Sequence, residues 1–363
     1  MDPIPANKQK ANLRNMSERI NVNIGYKLRN WTGPCQSAGA YTVGSQVVHL
    51  NEKGNPYQMV AVVRWSRNLV TLSIMATFLT SMVVRAQESG SDTMTYAPDT
   101  RCLRNTGIVV GTSLAGTLII LDQAWYADYE RSPMHTFDDS GEWLQMDKAG
   151  HFFSAYTLGS WGHALMQRCG ARPVAARWVG GSLGLFFLTG VELLDGTSAG
   201  WGFSWSDMAA NAIGTGLFIG QDALWGEQRI VAKFSVHLTP YAEQSPDLLG
   251  SGTMERFLKD YNGQTIWLST NLDRFMPRTG LPKWLSVSVG YGAEGMVSAF
   301  PPEEGGGARF RQFYLAPDID LARIKVRSRA WRTALFVLGS IKFPLPALEF
   351  TSTGQVNAHW VVF

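Results

Sequence analysis

Cysteine is scarce in this sequence of 363 residues: Cys35, Cys102 and Cys169 are the whole supply. They show no paired CxxC spacing and no even framework, which excludes a cysteine-held structural metal and predicts three isolated thiols. Charge is sparse as well, at 17% of residues against 45% hydrophobic, and the formal net charge is only +3. The Lys and Arg residues read as scattered rather than gathered into a stripe, so contact with nucleic acid through counterion release is excluded. Zinc-protease spacing, a nucleophile elbow, a phosphate loop and internal repeats are all missing. The glycines of "GTGLFIG" begin inside a helical pattern rather than after a strand, which rules out a dinucleotide site. An apolar surplus of this size has to be absorbed by burial or by membrane contact.

The stretch "RWSRNLVTLSIMATFLTSMVVRAQESGSD" reads as a secretory signal. Arg64 and Arg67 supply the basic region and Leu69 to Val84 the apolar core. Val84-Arg85-Ala86 gives the small-residue cleavage pattern before Gln87. The core is short for a membrane span, which needs about 20 residues. We therefore expect translation to begin at or near Met59, with 1–58 as an upstream, non-native or disordered extension, 59–86 as the signal peptide and 87–105 as a polar leader. No cysteine stands at the cleavage point, and Cys102 lies too far from the apolar core to be acylated, so lipid anchoring is not expected.

Four apolar segments follow over 106–228. "TGIVVGTSLAGTLIILDQAWYADY" ends in Trp125, Tyr126 and Tyr129, which suit a membrane interface. Asp139 or Ser140 could cap the next helix, which opens with Asp147, Lys148 and His151 and runs to about Arg168. "AARWVGGSLGLFFLTGVELLDG" carries Arg177 near its start, Glu192 near its end, and a close-packing pair in Gly180 and Gly184. "SWSDMAANAIGTGLFIGQDALW" starts at a Ser204 or Ser206 cap and holds a second such pair in Gly216 and Gly220. Four short helices with small-residue faces predict a bundle. Over 229–363 the texture turns β-rich: "IVAKFSVHLTPYA", "TIWLSTNL", "WLSVSVGYGAEGM", "RFRQFYLAPDIDLARI" and "QVNAHWVVF" read as strands. "RSRAWRTALFVLG" is helical, "FPLPALEF" must be extended, and "PPEEGGGARF" is a surface loop. The fold class is thus α+β, a four-helix membrane-associated bundle followed by a β-rich region with at least one helix. A small outer-membrane barrel, hinted at by terminal Phe363, would need regular alternation over several strands of about ten residues; the prolines and the helix near Trp331 argue against it.

The candidate site is a polar cluster. Asp147 and His151 share a helix face, Glu192 and Asp195 close the following helix, and Asp207 and Asn211 open the next. With consecutive helices antiparallel, all six fall at one end of the bundle. His151, Glu192 and Asp207 could hold a divalent metal, with Asp147 or Asp195 as orienting group or general base. The same groups could instead form a closed hydrogen-bonded network that fixes helix register, with Lys148 on a carboxylate. His163 lies too far around its helix to join, and His135 belongs to a loop. "GTSAGWGFSWSD" could place Trp201, Phe203 and Trp205 as a lid over the carboxylates or as an interfacial edge. Asp260, Tyr261 and Asn262 read as turn residues, and Asp318 and Asp320 as a solvated strand face.

The ordered stretches "DKAGHFFSAY", "VELLDG" and "GFSWSDMAANAIGTG" resemble the YfiM-type lipoprotein family, domain of unknown function 2279. "KDYNGQTIWLS", "WLSVSVGYGAEGM" and "IKFPLPALEF" resemble its longer members from Bacteroidota, and together the likeness covers roughly 100–363. A fainter likeness links the helices to VanZ-like membrane proteins, which also open a helix with Asp-Lys-x-x-His. The resemblance implies a cell-envelope location, in a Gram-negative-type bacterium, and no established reaction; the missing acylation cysteine departs from it. The reading to be tested is an exported, periplasm-facing, membrane-associated protein that is structural or binds envelope components. Its alternative is a metal-dependent hydrolase of an envelope lipid or glycan precursor.

Overall fold

A computed structural model describes residues 98–126, 129–301 and 308–362, together with strands 40–43 and 46–49. The chain divides into two units, Met1–Trp65 and Ser66–Phe363. In the first, Ala40–Val43 (β1) and Gln46–His49 (β2) form an antiparallel hairpin. The rest of the expected upstream extension, the signal over 59–86, the leader up to residue 97, loop residues 302–307 and Phe363 lie outside the described residues.

Four long helices open the described part of the second unit. Helix α1, Thr100–Leu121, begins where Asp99 accepts from the amides of Arg101 and Cys102 and ends in a wide turn, Asp122–Tyr126. Helix α2 spans Met146–Arg168 and α3 spans Pro173–Gly196, with proline in its first turn where a missing N–H costs nothing. Helix α4, Trp205–Trp225, is capped by Ser204 and stopped by Gly226, whose φ of +67° favours glycine. α1 and α3 are both long and apolar enough to cross a membrane by length and composition.

Small residues set the spacing of α2, α3 and α4. A Cβ on Gly184 would stand 2.3 Å from the Ala155 carbonyl oxygen, and one on Gly214 would stand 2.2 Å from that of Phe152. Backbones this close leave no room for a side chain, so the glycine pair Gly180 and Gly184 acts as expected. The second pair does not: a Cβ on Gly216 or Gly220 would meet nothing within 4 Å. Those two face outward, and Gly214 makes the contact in their place. Helix α1 lies outside this trio, touching it where Leu118 meets Gly190. Its start is tied to the end of α2 by a Cys102–Cys169 disulfide. Two of the three expected isolated thiols are therefore paired; a sequence separation of 67 hid the pairing, which is made where the Asp99 amide donates to the Cys169 carbonyl and brings the two chain segments together.

The remainder is a six-stranded antiparallel meander in sequence order: β3 Ile230–Val236, β4 Gln264–Asn271, β5 Leu285–Glu294, β6 Phe310–Ile319, β7 Leu345–Thr351 and β8 Val356–Val362. Helices α5, Thr253–Lys259, and α6, Arg329–Leu338, sit in its connections. The side-chain period of two puts alternate residues on opposite faces. One face is polar: Ser286, Ser288, Gln312, Asp318, Glu349 and Thr351 are all buried there. Asp318 and Asp320 are thus not on a solvated face as the sequence predicts. The sheet curves enough that Lys233 of β3 reaches Asp318 of β6 at 2.8 Å, and Lys342 approaches the same carboxylate at 3.5 Å. On the other face, β3 and β4 pack under the helices. Tyr156, Phe218, Ile219 and Ala232 form this shared core, with Phe153 stacked on Phe234.

Candidate functional site

The turn before α2 is strained. Trp143, Leu144 and Gln145 all take positive φ, 47°, 50° and 64°, a conformation that costs non-glycine residues about 1–2 kcal/mol each. It persists because each of the three residues is held by a neighbour. Trp143 donates its amide to Ala299, Arg311 and the Tyr291 hydroxyl both donate to the Leu144 carbonyl, and Gln145 donates to Ser140. Neither Asp139 nor Ser140 caps the helix, contrary to the sequence reading. The turn instead swings the Trp143 ring against Tyr261 and starts α2 so that Asp147, Lys148 and His151 face α3 and α4.

All six predicted polar residues meet there. His151 Nδ1 lies 3.1 Å from Asn211 Oδ1, while its Nε2 lies 3.7 Å from Glu192 Oε1 and 4.0 Å from Asp207. Lys148 sits among three carboxylates, 2.7 Å from Asp147, 2.8 Å from Asp139 and 3.2 Å from Asp207. Ser204 ties α3 to α4: its amide donates to Glu192 Oε2, its hydroxyl donates to Asp139, and it accepts from the Asp207 amide. Asp195 is one step removed, accepting from the Tyr126 hydroxyl at 2.7 Å. His163 stays apart, beside Asp222 and Arg177, as its helical position predicts.

Glu192 is buried, yet its Oε1 has no hydrogen-bond partner, and the same holds for Asp147 Oδ1 and Asn211 Nδ2. Glu192 and Asp147 line an open cleft of about 490 Å³, walled by Tyr126, Tyr129, Trp143, Trp201 and Tyr261. Tyr126 and Tyr129 pack edge-on to Trp201 at 5.3 and 4.4 Å. They therefore wall the cleft, and Tyr261 is more than a turn residue. The loop holding Trp201 closes one side, while Trp205 turns outward and is exposed.

Packing so many acids together moves their protonation. Burial, with Asp207 and Asp195 nearby, pushes Glu192 up to about 8. Burial likewise raises Glu142 to about 7 and Asp195 to about 6. Asp139 goes the other way: burial opposes its ionisation, but hydrogen bonds from Asp207, Lys148, Ser204 and Ser206 hold it down at about 2. Asp139, Glu142 and the walls supplied by Tyr126, Tyr129, Trp143 and Tyr261 are what sequence reasoning missed, whereas Trp201 stands beside the carboxylates as one of its two readings had it. Asp139 and Glu142 lie in an irregular connection where no periodicity assigns a face.

Ligand atoms of His151, Glu192 and Asp207 lie within 4.8 Å of one another, and so do those of Asp139, Asp147 and Asp207. The first set is the histidine-and-carboxylate donor mixture a divalent ion accepts.

Fold and site together define a glycine-packed helical domain with an acidic, aromatic-walled cleft, set against a curved antiparallel sheet. Residues 136–219, which supply most of that cleft, match the model of the family described as predicted periplasmic lipoprotein, domain of unknown function 2279. That description fits an envelope-associated protein facing the periplasm. No curated protein and no solved structure matches the chain.

Proposed function

We propose that this envelope protein holds a divalent cation between His151, Glu192 and Asp207 and uses it to hydrolyse an ester or phosphate of an envelope lipid or glycan precursor. One observation carries the reading: Glu192 Oε1 is buried, without a hydrogen bond, and 3.7 Å from His151 Nε2. An unpaired buried carboxylate oxygen is costly, and a cation between the two ligands relieves that cost. Asn211, on the far side of the imidazole, would fix its orientation. The chemistry a bound cation supplies is Lewis-acid polarisation of the substrate oxygen and activation of water. Asp147, which lines the cleft and whose Oδ1 has no hydrogen-bond partner, would take the proton, and the aromatic walls suit a ligand with apolar or sugar-ring faces.

A purely structural or binding network has its own support in Lys148, whose contacts with three carboxylates do not require a metal. It leaves Glu192 Oε1 and Asn211 Nδ2 unexplained. In either case the four helices work as one membrane-associated bundle in this reading. The test is elemental mass spectrometry on the full chain purified without chelators, beside His151→Ala and Glu192→Gln variants of confirmed folding. Near-stoichiometric zinc, manganese or magnesium that both variants lose supports the metal site. Absence of metal after dialysis against each ion in turn, with His151→Ala merely less stable, would assign the cluster to structure alone.

A further inference from the structure

The sheet is inverted relative to a water-soluble one. Its polar side chains point inward, and the charged ones are paired there. Lys233 and Lys342 meet Asp318, Gln312 donates to Glu349, and His359 lies 2.6 Å from the other oxygen of Glu349. The face turned outward on β5 to β8 carries Val289, Phe313, Leu315, Leu348, Phe350 and Trp360, each between 41% and 88% exposed. The cross-strand register sets these side by side: Val289 opposite Leu315, Leu315 opposite Leu348, and Phe313 opposite Phe350. The patch is continuous over four strands and uncharged between its two ends. Water is a poor solvent for such a surface, and apolar-out, polar-in alternation is the pattern of strands that face lipid.

What borders the patch identifies its occupant. At one end it stops at Arg311 and Tyr291, which anchor the strained turn beside the cleft. At the other end lie the β4–β5 and β6–β7 connections, joined where the Asp320 amide donates to the Trp284 carbonyl. The basic residues that read as scattered along the chain gather here. Arg278, Lys283, Lys325, Arg327, Arg329 and Arg332 are all exposed at this end. Phe275, Trp284, Trp331 and Phe343 stand exposed among them. Cationic and aromatic side chains ringing one end of an apolar band complement anionic headgroups above acyl chains. The sheet does not cross the bilayer by itself, because no described strand pairs with the outer edge of β8, and unpaired backbone groups are not tolerated in hydrocarbon.

We infer that the outward face of β5 to β8 is a membrane-contact surface that lies flat on one leaflet of an anionic bilayer, its strands along the surface and its basic, aromatic end on the headgroups. This inference does not depend on the metal site. It would seat the protein on the membrane with the cleft at the opposite end of the sheet from the headgroup-binding residues, an arrangement compatible with a ligand drawn from the envelope.

Flotation of the full chain on vesicles tests it, using phosphatidylethanolamine with phosphatidylglycerol in one set and phosphatidylcholine alone in the other. The apolar segment near residue 70 could bind lipid in every variant, so the reading is the difference between variants. Phe313→Ser/Leu348→Ser should lower partitioning into both vesicle types at least ten-fold. Arg329→Glu/Arg332→Glu should lower it more than ten-fold on phosphatidylglycerol vesicles and hardly at all on phosphatidylcholine. Both pairs are exposed and none of the four residues lines the cleft, so cleft metal content should not change, which separates this result from failure of the metal reading. Equal flotation of wild type and Phe313→Ser/Leu348→Ser would overturn the inference. So would a wild type that fails to float and instead forms a discrete dimer that the same pair of substitutions dissolves, since the face would then belong to a second copy.

Discussion

The helical cleft and the sheet interior both bury charge, and they satisfy it differently. In the sheet, Lys233 and Lys342 converge on Asp318, and Glu349 accepts from Gln312 and sits against His359. In the cleft, Lys148 serves three carboxylates, yet Glu192 Oε1 and Asp147 Oδ1 are left without a hydrogen bond, in residues that line the cavity. Opposite charges paired in the interior are the economy of a structural element, even though the Ser269 and Ser286 hydroxyls there lack a partner, and carboxylates left without a countercharge beside a cavity are the signature of a site that awaits a ligand. The comparison makes a definite claim: removing a charge should damage the sheet and should relieve the cleft.

The largest effect is expected at Asp318. Asp318→Ala strands two buried ammonium groups and should cost about 3–5 kcal/mol, seen as a large drop in the urea midpoint without change in slope. Replacing the pair together, Lys233→Met with Asp318→Leu, should recover much of that loss. If Asp318→Ala instead costs no more than an exposed substitution, water already reaches the interior and the contrast with the cleft disappears.

Next in size is the disulfide. Closing a loop across 67 residues of sequence separation is worth about 4 kcal/mol in the chain-entropy account. Cys102→Ser with Cys169→Ser should lose a sizeable part of this, about 2–4 kcal/mol. Because α1 otherwise leans only lightly on the other helices, the loss should show first as faster amide exchange in α1, with α2 to α4 protected. Uniform loss of protection would mean that α1 is integral to the bundle.

Much of this architecture is legible in the sequence because local chemistry dictates it. Alternation announced the strands, the prolines of "FPLPALEF" forced β7, and the spacing Asp147–His151 fixed a shared helix face. The convergence of six polar residues followed from antiparallel helices alone. What could not be read depends on long-range closure. The disulfide pairs residues that only packing brings together, Asp139 enters the site from an irregular connection, and the choice between Gly214 and Gly216 turns on a fraction of a helical turn. The polarity of the sheet was the hardest to see. Alternation shows that two faces differ, but only the curvature that carries Lys233 to Asp318 shows which one is inside.

The smallest effect is the sharpest test of the contrast. Burial holds the Glu192 carboxyl up at about 8 against an ordinary value of 4.5. A carboxyl that binds its proton more tightly when folded stabilises the fold fully below its unfolded value and loses that contribution as pH rises through the folded one. Metal-free protein should therefore become less stable between pH 5 and pH 9, with Glu142 and Asp195 contributing in the same direction at about 7 and about 6. Glu192→Gln keeps an acceptor for the Ser204 amide and removes the ionisation, so it should flatten the upper part of that slope. At pH 9 the variant should be more stable than wild type by roughly 1 kcal/mol or more, and at pH 5 nearly equal to it, as denaturation in the presence of a chelator would show. A destabilised variant at pH 9 would mean that the ionised carboxylate is already compensated without a cation. The cleft would then belong with the sheet interior, as a paired structural network.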